Sequence, residues 1–249
     1  MQEFASSLLA LSICSPATGC LSDSTQKPQW DNNADVVGWM PDTSFIPKRK
    51  FRRLSRLSKM ALYVAHHAAL EADAAHKLGA PIFCSRFGEF QHTERVLNAT
   101  HAKELVSPMD FSYSVHNTAQ GLFSILQGDN TPATAIAARY DGLENAVVKA
   151  HAQLMSGDEA VMIVYHEDLL PDIYDDLLNP NVMPLAFAFV IGKSDGGGRV
   201  LNLSFEAEKT DKAPSYDNHH AQNVVKMLAS GGGQSVLKTN RLRWDWQLK

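Results

Sequence analysis

Cysteine is scarce in this 249-residue chain, which holds only Cys14, Cys20 and Cys84. They form no CxxC pair. An odd count, in a chain too large to need disulfide staples, fits a reducing, cytoplasmic compartment. Charge excess is also missing: the net charge is −4, so no overall basic field points to nucleic acid. No run approaches the ~18 apolar residues of a membrane span, which argues against membrane insertion. The doublets His66-His67 and His219-His220 lack a Cys, His or carboxylate at ligand spacing. Adjacent helical residues point roughly 100° apart, so the doublets are poor chelates, and neither a metal nor a cofactor is expected.

Several catalytic signatures fail as well. Gly192-Lys193-Ser194 imitates the end of a phosphate-binding loop, but Phe187 stands where that loop needs its first glycine. No GxSxG elbow is present. His166-Glu167-Asp168 lies at a strand end with no nucleophile nearby in sequence and reads as a surface loop. The apolar run before Cys14 and Cys20 faintly suggests a lipoprotein signal. Glu3 is the only charge before it, however, and Ser15-Pro16 ends it early. A buried first strand closing in a Pro-Ala-Thr-Gly turn fits better, with an exported binding module as the minor alternative.

What is present is a 45% hydrophobic chain, enough for one sizeable α/β domain over residues 1–249. After a polar loop over 22–47, a stripe of Leu57, Met60, Ala61, Val64, Ala68 and Ala72 predicts a helix over 51–77. Residues 80–85 read as a short buried strand, and 88–98 as a weakly patterned helix. Asp110 is expected to cap a helix carrying Val115, Ala119, Leu122 and Leu126. A small-residue strand over 134–138 follows. Asp141 and Glu144 then form a D-x-x-E variant of the capping box before a helix with Leu143, Ala146, Val147, Ala150 and Leu154 inward. Residues 160–165 form an apolar strand. Strands over 185–191 and 200–205 are expected to pair as a hairpin through Gly196-Gly197-Gly198. A last helix over 218–230 and an extended segment over 235–246 complete a layered α/β pattern.

The order Ser107-Pro108, Asn117, Gly121, Pro132, the small-residue strand 133–138, Arg139-Tyr140 and Gly157-Asp158 resembles the nucleophile region of β-ketoacyl synthases. The spacing holds without a gap across about fifty residues. More loosely, the likeness extends to the basic start of the first helix and to the first strand with its Ser-Pro turn. It implies an abbreviated thiolase-like layered α/β fold, mostly the N-terminal ketosynthase half. In that family a cysteine stands at the strand-to-helix elbow, where the helix N-terminus favours thiolate and backbone N–H groups hold the oxyanion. Here Tyr140 occupies that position. A phenol of pKa ≈ 10 is a poor acyl acceptor, so no catalytic residue is expected. The family's two decarboxylating imidazoles also have no counterpart in context.

The chain therefore looks like a chain-length factor, most similar to the short ketosynthase-like subunits of bacterial aryl-polyene systems. The resemblance implies a heterodimer with a full-length ketosynthase and contact with an acyl carrier protein. It also implies that the strand over 134–138 pairs across the two-fold axis. The residues it assigns to the acyl tunnel or interface are Phe87, Asp110, Phe111, Ser114, Thr134, Ile136, Arg139 and Tyr140. Phe87, Phe111 and Tyr113 also fit ordinary packing, and Tyr140 fits a plug filling the vacated pocket. Arg139 fits a pair with a partner carboxylate or with Asp141. The basic run Lys48, Arg49, Lys50, Arg52, Arg53 and Arg56 reads either as a solvated helix start or as docking for the carrier protein or partner. A lone thiolase-fold acyltransferase or thioesterase using Cys84 or water is the competing reading.

Overall fold

A computed structural model describes residues 2–31, 33–47, 54–73, 75–128, 130–137, 140–172, 174, 183–194, 198–208 and 219–249. Its elements are β1 (Gln2–Ser15), β2 (Gly19–Leu21), α1 (Arg56–Asp73), β3 (Ile82–Cys84), α2 (Phe90–His101), α3 (Pro108–Tyr113) and α4 (Thr118–Gln127). β4 (Thr134–Ile136), α5 (Gly142–Ser156), β5 (Ala160–Glu167), β6 (Leu185–Lys193) and β7 (Val200–Ala207) follow. The chain then forms α6 (His219–Ser230), β8 (Gly233–Lys238) and β9 (Leu242–Leu248). One sheet takes the order β4-β3-β5-β6-β1-β7-β9-β8, with β2 attached to β1. Its first three strands are parallel and the other pairs antiparallel.

The sheet is covered on both faces, and side-chain alternation shows why. On β5 and β6, Ile163, Leu185, Phe187, Phe189 and Ile191 join the core beneath α5 and α6. The intervening Met162, Val164, Ala186, Ala188 and Val190 join the core beneath α1 and α4. The small residues of β6 meet an alanine-rich α1, whose Ala61, Ala65, Ala68 and Ala72 are almost completely buried. Small side chains on both partners let helix and sheet approach closely. The large ones are buried on the opposite face, each worth about 1.5–3 kcal/mol of burial.

Several expectations are corrected. β6 and β7 do not pair with each other: the 14-residue β1 lies between them and pairs with both. Gly196 and Gly197 of the expected hairpin turn lie outside the described residues, and Gly192 sits inside β6, where an added Cβ would meet Leu9 at 2.8 Å. The expected single helix from Asp110 is two helices, α3 and α4, and Val115 between them is 45% exposed. Ser107 caps α3, accepting the Asp110 N–H at 3.3 Å, so Asp110 is inside the helix and does not cap it. The extended C-terminal segment is a β8–β9 hairpin. Cys14 and Cys20 face each other across β1 and β2 with a Cα–Cα distance of 4.2 Å and are joined as a disulfide, leaving Cys84 as the free thiol. The unstapled expectation missed this pair because it weighed chain size, not cross-strand register.

Candidate functional site

The elbow expected from the sequence lies between β4 and α5. β4 leads toward Tyr140, and Gly142 opens the 15-residue α5. Tyr140 is half-buried and lines a cavity of about 30 Å³. Space of that size holds one water and excludes an acyl group. The cavity walls come from β3 and its following turn (Cys84, Arg86), from β5 (Tyr165, Glu167), and from Glu144 and His220.

Glu144 corrects the capping-box expectation. The N-cap Asp141 makes no side-chain capping bond, and Glu144 is fully buried. Its Oε1 accepts from His220 Nε2 at 2.6 Å and from Trp246 Nε1 at 2.9 Å. Its Oε2 is buried without a hydrogen-bond partner, as is His220 Nδ1. The carboxylate thus joins the start of α5 to α6 and to β9.

The triplet His166-Glu167-Asp168 is no surface loop either; all three residues are buried at the end of β5. Burial pushes Glu167 up to about 7, with the Arg86 N–H it accepts pulling the other way. Burial also lowers His166 to about 4. Asp168 accepts a bidentate pair from Arg56, Nε to Oδ2 at 3.1 Å and Nη2 to Oδ1 at 2.6 Å. Arg56 also donates to Val36 O. This corrects its expected docking role: its side chain is 9% exposed and committed to Asp168. Lys48, Arg49, Lys50, Arg52 and Arg53 lie outside the described residues, as does Arg139.

Phe87 and Tyr140 are brought to one place. The Arg86 guanidinium lies 5.7 Å from the Phe87 ring centre and 5.8 Å from that of Tyr140. Phe87 is half-buried, with Phe90 edge-on at 6.5 Å. Gly88 holds the turn beside it: its φ is +59°, its N–H donates to Ser85 Oγ at 2.7 Å, and a Cβ would crowd the His116 ring at 3.2 Å. Asp110 instead binds His92 Nδ1 and Arg95 Nη1, each at 2.8 Å, which holds its carboxyl below the usual range. Phe111 is 64% exposed, and the Ser114 carbonyl accepts from Thr93 Oγ1 at 3.2 Å.

Thr134 and Ile136 are half-buried on β4, which pairs only with β3 among the described residues. Thr134 N–H donates to Pro81 O, and Ile136 O accepts from Ser85 N–H. In a parallel ladder this turns the N–H and C=O of Ala135 away from β3, toward the open edge. Beside it, a groove of about 870 Å³ runs between the end of α1 and α4, lined by Leu70, Phe123 and Ala133 among others. No group of three or more His, Cys, Asp or Glu suited to a metal occurs among the described residues. No helix among them is long and apolar enough to cross a membrane.

Sequence reasoning missed the hydrogen-bonded group of Glu144, His220 and Trp246, and Glu167 beside it in the cavity wall. Glu144 lies about 100° round the helix from Leu143, at the flank of the apolar stripe, where periodicity does not separate inward from outward.

Comparison with known proteins adds a family and a fold. Residues 22–247 match the family described as the β-ketoacyl synthase, N-terminal domain. No curated protein matches the sequence. Among solved structures, the chain is similar to one in "Ketosynthase (ApeO) in Complex with its Chain Length Factor (ApeC) from Xenorhabdus doucetiae". That match has a TM-score of 0.76 at 19% identity, covering 98% of this chain and 99% of that one. A chain in "AntDE:AntF (apo): type II PKS acyl-carrier protein in complex with its ketosynthase bound to the hexaketide" gives 0.66 at 12%, covering 100% and 99%. One from "The ishigamide ketosynthase/chain length factor" gives 0.61 at 14%, covering 91% and 74%. The expected abbreviated, thiolase-like layered α/β fold is thereby shown.

Proposed function

The chain belongs to the β-ketoacyl synthase family through its N-terminal domain, and from that premise we propose that it is a non-catalytic, chain-length-factor-like subunit. It pairs with an active ketosynthase and shapes the partner's acyl tunnel in type II polyketide, aryl-polyene or fatty-acid-like synthesis. The observation that carries this reading is the elbow, where Tyr140 stands above a cavity of about 30 Å³ with no room for an acyl group. A phenol there fills the space a thioester would need.

The partner is inferred from β4. A three-residue edge strand with Ala135 presenting its backbone outward is a template for pairing with another chain. The exposed Phe111, Val115 and Ile125, from α3, α4 and their connection, supply apolar contact surface for such a partner. The solved complexes above, whose titles pair a ketosynthase with its chain length factor, support the same assignment. The matched chain in the first is also of nearly the same extent. In this reading residues 1–249 act as one domain, Phe87 and Tyr140 face the tunnel, and the carrier protein docks on the assembled pair.

One form of the competing enzyme reading, beside the one that uses water, takes Cys84 as the nucleophile. Cys84 is 1% exposed, and burial pushes its thiol well above the ordinary range, with Glu167 and Glu144 adding to the rise. Both features oppose attack on a thioester.

The test is co-expression with a ketosynthase from the same cell that retains its cysteine and both histidines. The expected result is co-purification, with elongation by the pair and none by this chain alone. Acyl transfer or thioester hydrolysis by the isolated chain, abolished by Cys84→Ala, would overturn the reading.

A further inference from the structure

A missing thiol is one substitution, whereas the surroundings of Tyr140 differ in kind from a thiolate site. We propose that the buried Glu144 carboxyl, together with Glu167 occupying the neighbouring backbone N–H donor, bars thiolates, oxyanions and malonyl-type carboxylates from the elbow. The inertness of the site then resides in its walls as well as in residue 140. This inference rests on the non-catalytic reading and deepens it.

The positive end of a helix favours an anion at its N-terminus. Here that end is already taken, because Glu144 in the first turn of α5 is folded inward and fully buried, and the half-buried Asp141 precedes the helix. An indole N–H can only donate, so the Trp246 contact makes Glu144 Oε1 an acceptor, and His220 Nε2 shares that atom. Glu144 Oε2 is buried with no donor facing it. Glu167 takes the Arg86 N–H at the end of β3, so a donor of the kind that would hold an oxyanion is occupied by the chain's own carboxyl.

Among the described residues, the titratable and charged groups around Tyr140 are Asp141 and Glu144 at the start of α5, Cys84 and Arg86 from β3 and its turn, Tyr165 and Glu167 from β5, and His220 from α6. Arg86 is the cation among them, and it also acts on Glu167. Cys84 gauges the resulting field: after burial, Glu167 and then Glu144 are what push that thiol up.

The experiment places a thiol at the elbow of the full chain. Tyr140→Cys is prepared with and without Glu144→Gln or Glu167→Gln. Alkylation of the introduced thiol by iodoacetamide is followed against pH by peptide mass spectrometry, with buried Cys84 as internal reference. The expected midpoint lies above that of a free thiol. It falls by about one pH unit when Glu144→Gln is added, so the rate at pH 7 rises about tenfold. An ordinary midpoint, or one that moves with neither Gln substitution, overturns the proposal.

Should Tyr140→Cys not fold, 3-fluorotyrosine in the otherwise native protein gives a second readout. The Tyr140 fluorine resonance is assigned by its loss in Tyr140→Phe, and its titration midpoint is expected to drop by about one unit in Glu144→Gln. An unmoved midpoint overturns the proposal. Both readouts are independent of pairing, so failure to co-purify with a ketosynthase would sink the subunit reading and leave this result standing.

Discussion

Glu144 Oε1 accepts the Nε2–H of His220 at 2.6 Å across 76 residues of sequence, and the carboxylate is wholly buried. With Trp246 on the same oxygen, one side chain ties together α5, α6 and β9. Replacing it with Ala leaves a buried indole N–H and a half-buried imidazole N–H without acceptors, the buried one costing about 1–3 kcal/mol and the other less. Glu144→Ala is therefore expected to lower stability by about 3 kcal/mol in urea titration. Glu144→Gln, which still accepts through its carbonyl, should lose less than half of that. Equal losses in the two variants would show that packing and not hydrogen bonding matters here.

Arg56 provides a second stability test. It is the first residue of α1, where a cation is mildly unfavourable, and Asp168 answers it with a bidentate pair 112 residues away. Both side chains are less than a tenth exposed, so removing one strands the other. Arg56→Ala is expected to cost about 3–5 kcal/mol in urea denaturation. Arg56→Met with Asp168→Leu, which removes both charges, should recover much of that loss. A cost below about 1 kcal/mol for Arg56→Ala would mean that Asp168 finds water.

These two pairs also show why the site was only half legible in the sequence. β5 and β6 are continuous apolar runs, and the stripe of α1 is periodic, so the elements and the two-faced sheet follow from local pattern. The elbow position of Tyr140 came from the resemblance to β-ketoacyl synthases. Glu144, Glu167 and Asp168 looked like a cap and a loop because polarity is read locally. Their partners His220, Arg86 and Arg56 lie 76, 81 and 112 residues away. The insertion of β1 between β6 and β7 escaped notice for the same reason: hairpin chemistry is local, and strand insertion is not.

Stability should depend on pH through Glu167. Its folded value, about 7, is raised above the ordinary 4.5, so the unfolded chain gives up this proton first. The contribution is fully present below pH 4.5 and is lost as pH rises through 7, by up to about 3 kcal/mol. His166, lowered to about 4, acts oppositely: its contribution is present above pH 6.5 and is lost as pH falls through 4. The two slopes cancel in the native protein over much of that window, so difference curves are needed. Glu167→Gln should gain stability relative to the native chain from pH 5 to 7.5. A pH-independent difference would show that Glu167 titrates normally.

The half-buried Phe87 shares Arg86 with Tyr140 and has Phe90 edge-on beside it. If it lines the tunnel, Phe87→Ala in the complex with a ketosynthase should lengthen the product while leaving the complex intact. If it only packs, the same change should lower the unfolding midpoint and leave product length unchanged. Mass spectrometry of the carrier-bound products, read beside a urea titration, separates the two.

The edge of β4 offers the sharpest test of pairing. Thr134 and Ile136 direct their backbone bonds to β3, through Pro81 O and Ser85 N–H, so the N–H of Ala135 faces the open edge. Ala135→Pro removes only that outward donor and places a ring on the open side, whereas Thr134→Pro removes a donor that β3 uses. Ala135→Pro should therefore keep the fold, with far-ultraviolet circular dichroism unchanged, and reduce co-purification with the ketosynthase at least tenfold. Thr134→Pro should damage the fold itself. A partner surface elsewhere, such as the β8 edge, predicts instead that Ala135→Pro pairs as well as the native chain, because nothing at β4 would then be touched.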